Sequence, residues 1–256
     1  MSAGPALRRA ARRALLVGAL AGCRQQPAQE ATMATPTTGT PTTGTATVDA
    51  GEWRPLVDTA LTQWRGYRAP TVPAGWRVVD GVLTKDAPIG DLVSREQFGD
   101  FELELDWKLA AGGNAGLFYR ATEAYDHVYW SAPEYQLLDD AGHPDGRDRR
   151  TAAGAAYGLY PAPEGAVRPA GEWNHTRLVV RGAHVEHWLN GTRTAAYDLG
   201  SPEWAGLVRA SKFAAYPEYG RAARGHLAIQ GDHEGTLAIR ALRIRPITST
   251  AQGGRP

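Results

Sequence analysis

The sequence predicts an all-β protein, an antiparallel two-sheet sandwich of jelly-roll type with one short helix. Phe101-Glu102-Leu103-Glu104-Leu105-Asp106-Trp107-Lys108-Leu109 alternates apolar and charged residues over nine positions, the period of a strand with one buried face. Short β-branched and aromatic runs recur between clusters of Gly, Pro, Asn and Asp, and thirty Gly, ten Tyr and eight Trp in 256 residues suit a turn-rich β fold. The βαβ alternation that builds parallel sheets does not occur.

The elements follow from local chemistry. Leu56-Val57-Asp58 and Trp76 to Leu83 are the first strand regions, the second turned by Asp80-Gly81. In the Phe101–Leu109 strand, Phe101, Leu103, Leu105, Trp107 and Leu109 face a core and the charged set faces out. Gly116 to Arg120, His127 to Asp140 and Ala155 to Tyr160 come next. Trp173 to Arg181 and His184 to Leu189 read as a hairpin about Gly182, and Asn190-Gly191 turns the chain into Thr192 to Asp198. Ser201 suits a helix cap, Pro202 and Glu203 its first turn, and Trp204, Leu207, Val208 and Ser211 hold helical spacing. Leu227 to Gln230 and Thr236 to Arg245 close the domain as strands.

The termini differ in composition from this domain. Arg8, Arg9, Arg12 and Arg13 precede a short apolar run, Ala14 to Ala21, too short to span a bilayer as a helix. The run ends in Leu20-Ala21-Gly22-Cys23, which resembles a bacterial lipobox and implies cleavage before Cys23 and lipidation of that residue. The membrane is then met through acyl chains alone. Arg24 is not acidic, which by the same resemblance implies an outer-membrane anchor in the cell envelope. Residues 23–50 carry a repeated Pro-Thr-Thr-Gly-Thr with little apolar bulk and read as a disordered tether. The sandwich then occupies residues 51–248, followed by a short disordered tail, 249–256.

Charge excludes one class of partner. Residues 1–50 hold five Arg against Glu30 and Asp49, a net of +3, so the +1 total leaves −2 for the remainder. That is too balanced for electrostatic binding of nucleic acid. Cys23 is the only cysteine, which rules out an intrachain disulfide or a cysteine-based metal cluster. His143, His184, His187, His226 and His233 lack the spacing of a zinc site, and His184 and His187 fall on opposite faces of a strand. Asp139, Asp140 and Asp145 read either as a Ca²⁺ loop or as a solvated turn, and the turn is the simpler account. Neither a metal nor a cofactor is expected.

The strand around Glu134 is the strongest candidate for chemistry. With a period of two, Trp130, Glu134 and Gln136 share one face while Tyr135 and Leu137 take the other, so an indole, a carboxylate and an amide form a polyol-binding surface. The competing reading is a solvated face over a core. Gly112-Gly113-Asn114-Ala115-Gly116 opens a strand without the lysine of a phosphate loop, and Arg120 at the end of that strand is a charge in need of a partner.

Seven segments occur in a characteristic order: Gly113 to Arg120, Glu134 to Asp139, Gly154 to Tyr157, Gly171 to Asn174, Trp188 to Gly191, Ser211 to Phe213, and Gln230 to His233. Over about residues 53 to 247 the chain thereby resembles the 3-keto-disaccharide hydrolase family, also described as 3-keto-glucoside 1,2-lyase and 3-keto-2-hydroxy-glucal hydratase, with a concanavalin-A-like glucanase fold. It departs from the family pattern at Ala115, where the family has Ser, and at Ile239-Arg240-Ala241-Leu242, where the family has Phe-Arg-Asn-Ile. The resemblance implies an oligosaccharide or glycoside substrate bearing a 3-keto group, and cleavage of its glycosidic bond.

A conventional glycosidase needs two carboxylates flanking the bond, and Glu134 and Asp139 lie ~16 Å apart along an unbent strand. A 3-keto sugar offers another route. The ketone acidifies the C2 proton, a base removes it, the C1 oxygen leaves, and water adds to the resulting glucal. Glu134 is the expected base, with Lys212 or Arg120 stabilising the enolate and His233 as the acid. Asn114, Gln136, Asp139, Tyr157 and Gln230 are expected to bind substrate, and Trp130 to stack on the ring. A non-catalytic carbohydrate-binding surface lipoprotein is the alternative.

Overall fold

A computed structural model of the chain describes residues 48–249. The signal segment with Cys23, most of the expected tether and the end of the tail lie outside the described residues. The strands are β1 (Val48–Ala50), β2 (Arg54–Pro55), β3 (Trp64–Gly66), β4 (Arg77–Val79), β5 (Val82–Lys85), β6 (Leu92–Phe98), β7 (Phe101–Leu109), β8 (Asn114–Ala121), β9 (Glu134–Leu138), β10 (Asn174–Arg181), β11 (His184–Leu189), β12 (Thr192–Asp198), β13 (Gly225–Ile229) and β14 (Leu237–Ser249). One α-helix, α1 (Pro202–Arg209), lies between β12 and β13. The larger sheet runs β12-β11-β10-β7-β14-β5-β4, with β1 and β2 also paired to β14, and the smaller runs β3-β6-β13-β8-β9. This is the two-sheet jelly-roll sandwich that the alternation predicts.

The apolar set of β7 forms the inner face of the larger sheet. Phe101, Leu103, Leu105, Trp107 and Leu109 are at most 4% exposed and share one core with Leu117, Tyr119, Tyr135, Leu137, Leu227 and Ile229 of the facing sheet. Each such side chain contributes ~1.5–3 kcal/mol by leaving water. The acidic set of β7, Glu102, Glu104 and Asp106, faces outward but is held in ion pairs, because β10 and β14 place arginines beside it. Glu102 is buried between Arg177 and Arg245, Glu104 meets Arg243 at 2.6 Å, and Asp106 meets Arg240 at 3.1 Å.

The smaller sheet is covered on both faces, and this positions the site. Every residue of β8, β9 and β13 is buried. On the outer face, Val93, Phe118, Ala121 and Ala228 pack beneath Val128 and Ala132. Strand parity puts Asn114, Gly116, Glu134 and Gln136 on this covered outer face, opposite in direction to Leu117, Tyr135 and Leu137.

Several sequence expectations change. The stretch from His127 to Asp140 is not one strand: Val128–Trp130 is a 3₁₀ turn, and β9 begins only at Glu134. Val128 and Ala132 fold over the sheet, and Pro133 has no N–H to extend a ladder. Trp130 therefore does not share a strand face with Glu134; it stacks on Tyr216, with ring centroids 4.9 Å apart. Ala155 to Tyr160 is a set of turns with isolated bridges from Ala156 to Tyr135 and to Tyr160, and Leu56 to Asp58 lies just past the short β2. Ser201 caps α1 by accepting from the Trp204 N–H at 3.1 Å, as expected. Ser211, expected within the helix, instead caps the next 3₁₀ turn, Lys212–Ala215. Asp80-Gly81 turns with both φ angles positive, 49° and 74°, which is the backbone an Asp-Gly hairpin needs.

Candidate active site

Outside the smaller sheet lies a pocket of about 310 Å³ lined by Asn114, Tyr129, Glu134, His143, Asp145, Tyr157, Lys212, Gln230, Asp232 and His233. Three strands supply its floor: Asn114 opens β8, Glu134 opens β9, and Gln230 follows β13. Loops supply its walls.

Glu134 is 6% exposed, and burial pushes its carboxyl up to about 8. Lys212 opposes that rise, while the carboxylates of Asp232, Asp91 and Asp145 add to it. Among the described residues no hydrogen bond or ion pair holds this carboxyl. It occupies its position because the facing strand leaves room: a Cβ at Gly116 would sit 2.3 Å from Glu134 Oε1. Gly116 is therefore the cradle of the carboxyl.

Lys212 reaches the pocket from the 3₁₀ turn after α1. Ser211 Oγ accepts from the Phe213 N–H at 3.1 Å and Phe213 is buried, which fixes the turn that presents Lys212. The ammonium lies 4.5 Å from the Tyr157 ring centroid and 5.9 Å from that of Tyr129, a cation held by aromatic faces. Tyr157 is positioned by β9 itself, since its N–H donates to the Glu134 carbonyl at 3.1 Å.

The third wall is residues 231–235. Gly231 N–H donates to Asp91 Oδ1 at 2.8 Å, and Lys85, on the core-facing side of β5, donates to the carbonyls of His233 at 2.5 Å and Gly235 at 3.1 Å. These contacts hold Asp232 and His233 at the pocket edge. Burial pushes Asp91 up to about 6 and lowers His233 below the ordinary imidazole value, so His233 is neutral near pH 7. On the opposite side His143 Nδ1 accepts from the Asp145 N–H at 3.1 Å.

The amides form the polar floor. Gln136 Nε2 donates to Asn114 Oδ1 at 3.3 Å, whereas the buried Oε1 atoms of Gln136 and Gln230 have no partner among the described residues. An orphaned buried acceptor costs ~1–3 kcal/mol, and Gln230 is among the residues that line the pocket.

The pocket thus gathers Glu134, Lys212, His233, Asn114, Tyr157 and Gln230 from the sequence candidates, with Gln136 beneath them. It leaves out three. Arg120 is spent on a clamp, donating to Asp100 Oδ1 at 3.1 Å and to the Gly182 carbonyl at 2.7 Å, and it lines a different cavity. Asp139 accepts the Gly112 N–H at 2.8 Å and so shapes the turn into β8. Trp130 faces Tyr216. Nor do the loop aspartates converge as a Ca²⁺ site: Asp140 takes Arg149 at 3.0 Å and the Ala153 N–H at 2.7 Å, and among the described residues no three acidic, His or Cys side chains come together as a ligand set. Tyr129, His143, Asp145 and Asp232 join the site without having been expected there. Asp232 lay in a motif already singled out, and Tyr129 in the stretch read as a strand.

A jelly roll with a buried carboxyl, an amide floor and an aromatic-caged ammonium on one sheet face is a ligand-binding sandwich equipped for acid–base chemistry. Its sequence says which one: residues 52–245 match the model of the 3-keto-alpha-glucoside-1,2-lyase-like domain, and the chain belongs to that family. It is 35% identical over 189 residues to a 3-keto-disaccharide hydrolase from Bacteroides thetaiotaomicron, covering 65% of this chain and 65% of that protein, so it spans just under two thirds of that relative's length. Two crystal structures of candidate glycosyl hydrolases from Parabacteroides distasonis share the fold. One is 30% identical with a TM-score of 0.72 over 77% of this chain and 94% of that one. The other is 28% identical with a TM-score of 0.61 over 76% and 99%.

Proposed function

We propose that the protein cleaves 3-keto-glycosides, 3-keto-disaccharides among them, by removing the C2 proton and eliminating the C1 substituent, and then hydrates the glucal that forms. The observation that carries this reading is Glu134, a buried carboxyl without a hydrogen-bonding partner among the described residues, in one pocket with Lys212. A base with a pKa near 8 is matched to proton abstraction close to neutral pH.

In this mechanism the ionised Glu134 takes the C2 proton, and the C2–H electrons move toward the C3 ketone. Negative charge grows on the C3 oxygen, where the Lys212 ammonium and the amide N–H groups of Asn114 and Gln230 supply stabilisation. The C1–O bond breaks, leaving a C1=C2 double bond. Glu134, now protonated, is the acid suited to the leaving oxygen, since His233 is neutral at that pH. In the second stage the ionised carboxylate activates water for addition at C1, and C2 regains a proton. Neither stage changes the oxidation level of the substrate and solvent taken together.

The pocket also holds Asp145 and Asp232, so its carboxylates alone do not separate elimination from displacement. The family relationship and the cation supplied by Lys212 support elimination. The test is a matched pair of substrates: the 3-keto-glucoside is expected to release its aglycone, and the same glucoside without the ketone is expected to be inert. A protein that binds both sugars and releases no aglycone from either is a carbohydrate-binding module, and the enzymatic reading fails.

A further inference from the structure

A second cavity, about 670 Å³, opens where α1 and residues 213–223 pass over the Gly182-Ala183 turn, outside the site described above. Its charge is opposite to that of the active site. Arg120, Arg209 and Arg221 line it and no carboxylate does, whereas the catalytic pocket holds Glu134, Asp145 and Asp232 against Lys212. Arg120 is 5% exposed and shares its charge with Asp100. Arg209 and Arg221 are exposed at the rim, and among the described residues neither is in an ion pair.

The wall is apolar and rigid. Phe213 stacks on Tyr219 with centroids 4.1 Å apart, and Tyr219 stacks on Trp204 at 5.9 Å. These rings are at most 4% exposed and back the cavity rigidly, while half-buried Leu199 and Val208 give it an apolar surface beside the guanidinium groups. A sugar ring would find no free aromatic face to stack on, because Tyr197, Trp204, Tyr219 and Phe213 cover one another's, and a bare inorganic anion would leave the wall wet. A ligand with an apolar body and one anionic head satisfies both parts, and the volume falls within the ~300–1,000 Å³ of small-molecule sites.

We propose that this cavity is a second binding site, for an amphiphilic organic anion: an aromatic or aliphatic body carrying a carboxylate, with the head toward Arg209 and Arg221 and the body against Leu199 and Val208. The proposal is independent of what the catalytic pocket does.

The experiment titrates 2-naphthoate into the full-length protein and compares it with 2-naphthalenemethanol, its neutral counterpart. Saturable one-to-one binding of the acid is expected, with the alcohol weaker by roughly tenfold or more, the difference that one good charge-assisted contact makes. Because the rim arginines are exposed, the Arg209→Glu, Arg221→Glu double variant keeps its fold and is expected to weaken the acid to a similar degree. Ala205→Phe, which fills the cavity from the helix, is expected to abolish binding, while Glu134→Gln leaves it unchanged. The inference is overturned by the absence of saturable binding, by equal affinity for acid and alcohol, or by binding that Glu134→Gln removes and the arginine variants do not.

Discussion

Replacing Glu134 by Gln is expected to lower kcat on a 3-keto-glucoside by ~10²–10⁴-fold, the range assigned to a positioned general base, while substrate affinity changes little. Gln keeps the size and one acceptor oxygen of Glu but cannot take a proton. In the native protein kcat/KM should rise with pH along a limb set by Glu134, with an apparent pKa near 8, and the variant should lack that limb. The same substitution should stabilise the fold. Glu134 is raised from its ordinary 4.5 to about 8, so between those values the folded state holds a proton that the unfolded state has released, and native stability falls as pH rises. Below 4.5 both states are protonated and the effect vanishes; above 8 it is complete, with a ceiling of about 5 kcal/mol at ~1.4 kcal/mol for each pH unit. Urea denaturation of the two proteins at pH 4 and pH 9 measures it. Equal stabilities at pH 9 would mean that the carboxyl is not buried as described.

Gly116→Ala is expected to separate position from folding. The added methyl would lie 2.3 Å from Glu134 Oε1, 2.9 Å from Cδ and 3.0 Å from Cγ, so the Glu134 side chain must swing aside. It can do so cheaply, being the free end of a flexible chain, and Gly116 sits in ordinary strand backbone within β8. The melting temperature should therefore change by only a few degrees. Activity should fall by roughly 10²-fold, the cost of misplacing a reacting group by about 1 Å. Wild-type kcat in the Ala variant would show that the carboxyl is not needed where Gly116 lets it lie.

The two predictions draw on different levels of what the sequence discloses. β7 was legible in full because its alternation is local and the buried set answers a single facing sheet. The direction of Glu134 and Gln136, opposite to Tyr135 and Leu137, followed from the same period of two. The His127–Trp130 turn was not legible, since His-Val-Tyr-Trp has the composition of a strand; its conformation is set by Val128 covering Phe118 and Ala228, a contact distant in the chain. β6 escaped for a related reason. Its burial does not alternate, because the ladder to β13 shifts register between His226 and Ala228.

The site shows the same division. Glu134 and Gln136 on β9 were found from spacing, and Asn114 stood in the glycine-rich run that opens β8. Arg120 drew attention for a sound reason, a charge on an apolar strand, but its partner proved to be the Asp100 clamp. Asp232 and His233 enter the pocket because Lys85, some 148 residues earlier in the chain, holds the loop that carries them, and no local pattern announces that contact. Gly116 stands in a glycine-rich run that opens a strand, yet only the three-dimensional arrangement shows that its missing side chain makes room for Glu134.

Breakage of the C2–H bond by Glu134 leaves a record in an isotopic label. A 3-keto-glucoside carrying deuterium at C2 is turned over to completion in ordinary water, beside an enzyme-free control for spontaneous exchange, and the product is read by NMR. Elimination predicts loss of the deuterium to solvent during turnover and slower reaction than the protio substrate. Deuterium retained at C2 in the product after complete turnover would contradict the account.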